Sequence, residues 1–305
     1  MVLTSLKSGF TCTWENKRMV FVYYLVNLIF ALIIMLPMYF LLNRIAGSTL
    51  MMGKMAGRLD MDFFFELLIK QYTTLFSLRG LFLFVPLVYW LFGLFLSGGA
   101  YTIFISDVKY SPSVFWSRSA KYFGRFFRLF LWSIPVFAVF YCIQFIEIGV
   151  ERLIYGSDPY QNIIWWGAWI RVGIGYIGIL LYYLVLDYAR IDIVINDETR
   201  TRRALWYGIK FTFRNFFKTF ILTLILFLIG IAALVIYNPI VDSLHAPSGF
   251  IIFILFIVQQ IYMFIRMMLK LTLYSSQVSL YNSLTPKEDI AELTPVASKE
   301  KVTLN

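Results

Sequence analysis

Few residues in this chain could do chemistry, and the ionisable ones near apolar stretches form two groups. Glu147 and Glu151 lie one helical turn apart with Arg152 adjacent, and Asp187 lies three residues before Arg190 with Asp192 beyond. Two carboxylates on one helical face repel each other, more strongly in a dry site than in water. A bound cation, a carried proton or simple exposure at a wet helix end would relieve that repulsion. Asp187 and Arg190 have the spacing of an ion- or proton-handling pair, since an ionisable residue near the end of an apolar helix is a functional candidate. The rival readings are a surface charge, or a structural pair fixing a helix end, with Arg203 or Arg214 as a further partner. His245, the only histidine, neighbours Asp242 and makes a poor metal site by itself. Cys12 and Cys142 read as neither a disulfide nor a metal pair. The sequence has no serine elbow, no His-Glu-x-x-His and no Cys/His cluster, and Gly47, Gly53 and Gly57 lack the Gly-Lys-Ser/Thr ending of a phosphate loop. The expectation is a non-catalytic protein with no catalytic residue, no metal and no cofactor.

The elements that must position these residues are membrane helices. Charged residues make up 14% of the 305 and hydrophobic ones 60%, with a mean hydropathy of +0.75. A soluble chain carries about a quarter charged residues. The apolar runs exceed the roughly 20 residues that cross a bilayer as a helix. An all-α polytopic fold is predicted, with six transmembrane helices at about 19–42, 80–104, 131–151, 172–190, 219–237 and 250–272. Glu147 and Glu151 fall in the last turns of the third span, Asp187 and Arg190 at the end of the fourth. Asn27 is the one modest polar exception inside the first. Gly98–Gly99 and the glycines at 173, 175 and 178 permit close helix contact. Trp165, Trp166 and Trp169 read as an interfacial belt.

Lysine and arginine counts set the expected orientation. Segments 1–18, 105–130, 190–218 and 266–305 hold 20 basic residues against 7 on the other side. The positive-inside rule then puts both termini in the cytoplasm. With no apolar core before residue 19, the first span is expected to act as an uncleaved targeting signal. A short interfacial helix is predicted over 3–14, from the spacing of Leu3, Leu6, Phe10 and Trp14 with Lys7 on the wet side. Residues 61–78 read as a half-embedded helix on the outer side, with Glu66 and Lys70 as a helical pair; a seventh span is the rival. Residues 1–275 form a single transmembrane domain, and 276–305, richer in charge, Pro and Thr, are expected to be a flexible cytoplasmic tail.

One stretch is written twice. "WSRSAKYFGRFFRLF" (116–130) returns as "WYGIKFTFRNFFKTF" (206–220). At an offset of ninety, Asp107 falls on Asp197, Trp116 on Trp206, Phe126–Phe127 on Phe216–Phe217, and Arg128 on Lys218. Trp favours the headgroup level, cations favour lipid phosphates, and Phe-Phe opens the hydrocarbon layer. Each copy is expected to be an amphipathic connector helix in the plane of the inner leaflet. Parallel duplication and convergence on one boundary problem both account for the match.

The N-terminal "SLKSGFTCTWENKRMVFVYYLV", the turn "SGGAYTIFI" with "SPSVFWSRSAKYFGRFF", and "LDYARIDIVINDETRTRRALWYGIKFTFRNFF" resemble six-span bacterial membrane proteins. These are the YciC-like group and the membrane domain fused to some glycerophosphodiester phosphodiesterases. Asp187 and the turn Asn196–Asp197–Glu198 are the matching positions, and no phosphodiesterase domain is present. The resemblance implies a multi-pass protein of the bacterial inner membrane. The expected function is to organise or stabilise envelope proteins or lipids. A lipid or small-solute transporter is the alternative and an intramembrane lipid-modifying enzyme a more distant one. Anionic phospholipids and other membrane proteins are the expected partners; a +10 charge confined to membrane borders does not suit nucleic acid.

Overall fold

The computed structural model describes residues 1–46, 61, 65, 69–70, 72–156, 160–243 and 248–285. The regular elements among them are helices: α1 (Val2–Glu15), α2 (Lys17–Ala46), α3 (Tyr72–Ser106), α4 (Pro112–Cys142), a 3-10 turn (Ile143–Phe145), α5 (Ile146–Tyr155), α6 (Gln161–Ile195), α7 (Thr201–Arg214), α8 (Phe216–Ser243) and α9 (Gly249–Leu284). Six stretches are long and apolar enough to cross a membrane: α2, α3, α4 with α5, α6, α8 and α9. The chain is thus a polytopic helical membrane protein. Of the expected helix at 61–78, residues 62–64, 66–68 and 71 lie outside the described residues, and from Tyr72 on it is continuous with α3; the glycines at 47, 53 and 57, and His245, lie outside as well.

Two expectations are corrected. The first ramp is not a separate connector helix: α4 runs unbroken for 31 residues, so its first half is the ramp and its second half is membrane span. Ser111 is extended and Pro112 opens the helix; proline suits that position because its fixed φ is already helical and its missing N–H leaves no orphan. The predicted third span then breaks at the 3-10 turn and continues as α5. In the second copy the break comes earlier, at Asn215 (φ −114°, ψ 29°) between α7 and α8. The other correction concerns the tail. Helix α9 continues to Leu284, with Ser275, Ser276, Gln277, Val278, Leu280 and Tyr281 buried. The drop in apolar density at 276 marks a helix leaving lipid for a protein core, not the start of loose chain. Residues 286–305 lie outside the described part.

The chain divides into two compact units. One gathers Met1–Cys12, Ser97–Ile225 and the chain from Thr272 on. At its centre are the ends of α3, α6 and α9, and α6 is buried without a break from Leu184 to Val194. Around these ends pack α1, the first half of α4 and α7, each meeting an outgoing helix where a side chain is small. A Cβ on Gly99 would lie 2.6 Å from the Phe115 carbonyl, one on Gly208 2.7 Å from the Val185 carbonyl, and one on Gly9 2.7 Å from the Ser276 amide. The outgoing helices end at Ser106, Ile195 and Leu284, a spacing of 89 both times. The returning helices α4 and α7 start at Pro112 and Thr201, again 89 apart. By these shared helix ends the chain falls into three two-span segments, or repeats, bounded by 2–106, 112–195 and 201–284.

The other unit holds Thr13–Leu96 and Leu226–Leu271. Its inner face is aromatic with a few polar side chains. Tyr24 donates a hydrogen bond to Gln260 Oε1 (2.7 Å) and Tyr89 donates to Asn27 Oδ1 (3.1 Å). Phe30 packs edge-on against Tyr89, and Tyr237 stacks on Tyr262 at 4.5 Å. Asn27, which interrupts the first span, is held by a neighbour; an unpaired amide in lipid would cost several kcal/mol, roughly.

Candidate functional site

The buried core of the first unit contains an ion pair. Arg190 Nη1 donates to Asp187 Oδ1 at 3.0 Å, and Gln277 Nε2 donates to Oδ2 at 3.2 Å. The Asp187 and Arg190 side chains are 8% and 10% exposed. Tyr101 from α3 lies against Tyr274 from α9, ring centroids 4.7 Å apart, and the Arg190 guanidinium sits 5.9 Å from the Phe126 ring centre. One side chain group thus joins the ends of α3, α6 and α9. Ser97, Asp187 and Gln277 are spaced ninety apart, all buried, one on each outgoing helix. Only the middle repeat carries charge there: Ala100 and Leu280 stand where it has Arg190. Buried charge is tolerated when paired and hydrogen-bonded, and both Asp187 oxygens meet donors. Arg190 Nε and Gln277 Oε1 find no hydrogen-bond partner among the described residues. Of the expected partners, Arg203 faces Glu198 at 3.9 Å and is 77% exposed, and Arg214 is exposed at the end of α7.

The turn after α6 builds a second charged cluster. Asp197 adopts φ +46°, and Asp107, its counterpart ninety residues earlier, φ +49°. They are the two positive-φ non-glycine residues among those described. Aspartate tolerates this left-handed cap better than most side chains. The Glu198 amide bonds back to the Ile193 carbonyl, closing the helix end. Held this way, the Asp197 carboxylate accepts hydrogen bonds from Arg125 (2.6 Å), Lys121 (3.1 Å) and Tyr122 (3.2 Å) of α4. Partial burial alone would raise the Asp197 carboxyl; the bonds and charges of Lys121 and Arg125 outweigh it and hold it below the ordinary carboxylate range.

A depressed carboxyl stabilises the fold above its unfolded pKa of about 3.9 and loses that contribution as pH falls through the folded value. Asp197→Asn keeps the turn geometry and removes the charge. Thermal unfolding in detergent should show the variant less stable at pH 7, by about 1 kcal/mol or less because the carboxylate is half exposed. The difference should shrink as pH falls below the unfolded value of about 3.9 and close once the carboxyl is protonated in the folded protein as well; one that persisted there would assign the loss to geometry instead.

At the far end of the same helices Glu147 is buried and pairs with Arg171 of α6 (2.8 Å), not with neighbouring Arg152. Gly167 makes room for Glu147, and a Cβ there would also stand 3.0 Å from Glu151 Oε2. Gly175 and Gly178 likewise face Gln144 and the Phe140 carbonyl, while Gly173 touches nothing.

The tryptophans and the aligned basic residues of the two ramps stay on the outside. Trp116 is 41% and Trp206 69% exposed, and Arg128 and Lys218 are exposed as well. Arg202 lies over the Trp132 ring at 3.5 Å. On α1 the inward face is small, Ser5, Gly9 and Thr13, while Leu3, Phe10 and Trp14 point out. The structure brings Asp187 to Arg190 and Glu147 beside Glu151, and keeps Trp116 and Trp206 on separate repeats. Gln277 is the site residue that sequence reasoning missed; its ninety-residue spacing from Asp187 was the available signal.

Taken together, the fold and the site define a multi-pass helical membrane protein with a buried ion pair and a basic, aromatic exterior on its returning helices. No family model, no curated protein and no solved structure matches the chain.

Proposed function

We propose that this membrane protein is a non-catalytic organiser of a bacterial inner membrane. Both termini are cytoplasmic, and its returning helices hold anionic phospholipid and neighbouring membrane proteins at the inner leaflet. The observation that carries this reading is the outer surface of α1, α4 and α7. There exposed aromatic and cationic side chains alternate, while the inward faces pack on small residues. Trp at headgroup depth and cations near phosphate each favour such a border. The split of 20 basic residues to 7 supports the sidedness. The buried charges add to it, because Asp187 is engaged by Arg190 and Gln277 within the protein.

A lipid or small-solute carrier is the second reading. It is favoured by the half-buried polar residues Tyr24, Asn27, Tyr89 and Gln260 inside otherwise apolar spans. Mass spectrometry of the protein gently extracted from its native membrane separates the two. A stoichiometric protein partner, or a set of anionic lipids, that is lost at least tenfold when Trp116 and Trp206 are both replaced by alanine supports the organiser. One retained solute or lipid species that survives those changes and disappears with Asn27→Leu supports the carrier.

A further inference from the structure

We infer that the chain is three copies of one two-span unit, and that each copy carries its own site for an anionic lipid headgroup, where its returning helix enters the membrane. This rests on the lipid reading above and adds the number and position of the sites.

The sequence displays two copies of the ramp; the structure supplies the register of the third. Helices α7 and α8 are separated by the single residue Asn215, and α1 and α2 by the single residue Asn16. Superposing those breaks aligns Gly9 with Gly208, the two glycines at which a returning helix touches an outgoing one. The same register pairs Leu6 with Leu205, Thr13 with Thr212 and Phe21 with Phe220, all identical. The partners of these glycines agree too, since Ser276 beside Gly9 lies 91 residues after Val185 beside Gly208. Three outgoing helices ending 89 apart, with three small-residue crossings at matching steps, fit one repeated unit better than three separate solutions to a boundary problem.

Where its returning helix enters the membrane each repeat exposes a cation and a phenylalanine within one helical turn: Arg18 and Phe21, Arg128 and Phe127, and Lys218 and Phe217, with Arg18 one position short of the step of Lys218. The three phenylalanines are 54%, 37% and 77% exposed. A lipid satisfies both halves of such a pair, its phosphate meeting the cation and its acyl chain the ring. A soluble anion satisfies only the first half. One cation near an anionic surface corresponds to a preference of about fivefold, so each site is weak alone and the sites act independently.

The test uses full-length protein in phosphatidylcholine nanodiscs with increasing phosphatidylglycerol, counting retained lipids by native mass spectrometry. Wild type should hold up to three phosphatidylglycerols in preference to phosphatidylcholine. Arg18→Gln, Arg128→Gln and Lys218→Gln should each lower that maximum by one, the triple variant should abolish the preference, and Arg128→Lys should keep it. An unchanged thermal midpoint shows that these exposed changes leave the fold intact. If one single variant removes every bound phosphatidylglycerol, or the single variants leave the count at its wild-type value, the three-site inference is overturned while the lipid reading stands. Equal retention of the two lipids overturns both.

Discussion

Asp187→Ala should destabilise the protein by about 3–5 kcal/mol, the cost typical of removing one partner from a buried ion pair. The side chain is 8% exposed, so water cannot replace it, and its loss strands two donors, Arg190 Nη1 and Gln277 Nε2. Most of the cost comes from the Arg190 charge, left in a site lined by Phe126, Tyr101 and Tyr274. Replacing both ions follows a different logic, because well-packed apolar side chains often substitute for a buried pair without loss. The double variant Asp187→Leu, Arg190→Leu should therefore recover at least half of the stability lost by Asp187→Ala. Thermal and denaturing-detergent unfolding of the three proteins measures this. A wild-type unfolding curve for Asp187→Ala would remove the structural reading and make Asp187 a candidate ion ligand for the carrier.

This pair also shows how far the sequence could be read. Asp187 and Arg190 stand out because they interrupt an apolar run, and their spacing puts them on one helical face. Their third partner, Gln277, is invisible to that logic: "SSQVSLYNSL" looks like the start of a polar tail. Polarity signals solvent only when no other chain is there to take the hydrogen bonds, and here the ends of α3 and α6 are. The same blind spot hid Glu147–Arg171, whose partners are 24 residues apart and meet through the α5–α6 return. Span positions were legible because lipid demands continuous apolar length. The connectors were legible as amphipathic but not as packed: Phe115, Ser119, Tyr122 and Phe126 form a buried stripe on α4, and that stripe suits a protein neighbour or a membrane interior equally well. The third repeat stayed hidden because α1 keeps the glycine and asparagine of α7 but carries Lys7 at the position of Trp206. A ramp defined by its aromatic residues passes over it.

Gly208→Ala should also be strongly destabilising, although alanine is the better helix former by about 1 kcal/mol. The new methyl would stand 2.7 Å from the Val185 carbonyl and 2.9 Å from both the amide nitrogen and Cβ of Ala189. Two of these obstacles are backbone atoms of a helix buried from Leu184 to Val194, so no rotamer change relieves the clash. The helices must separate, and overpacking of this kind costs about 1–3 kcal/mol or more. A net loss of about 2 kcal/mol is expected once the helix-forming gain is subtracted. Gly124→Ala is the control: it lies inside α4 with nothing within 4 Å of the new methyl, so the helix-forming term acts alone and the variant should gain up to about 1 kcal/mol. If the three crossings are equivalent, Gly9→Ala and Gly99→Ala should fall with Gly208→Ala, since each meets backbone at 2.6–2.7 Å. Unfolding midpoints measured side by side decide the matter. Losses at all three glycines with a gain at Gly124 mean that the same contact is made once in every repeat; a neutral Gly9→Ala would leave two hairpins and detach α1 from the pattern.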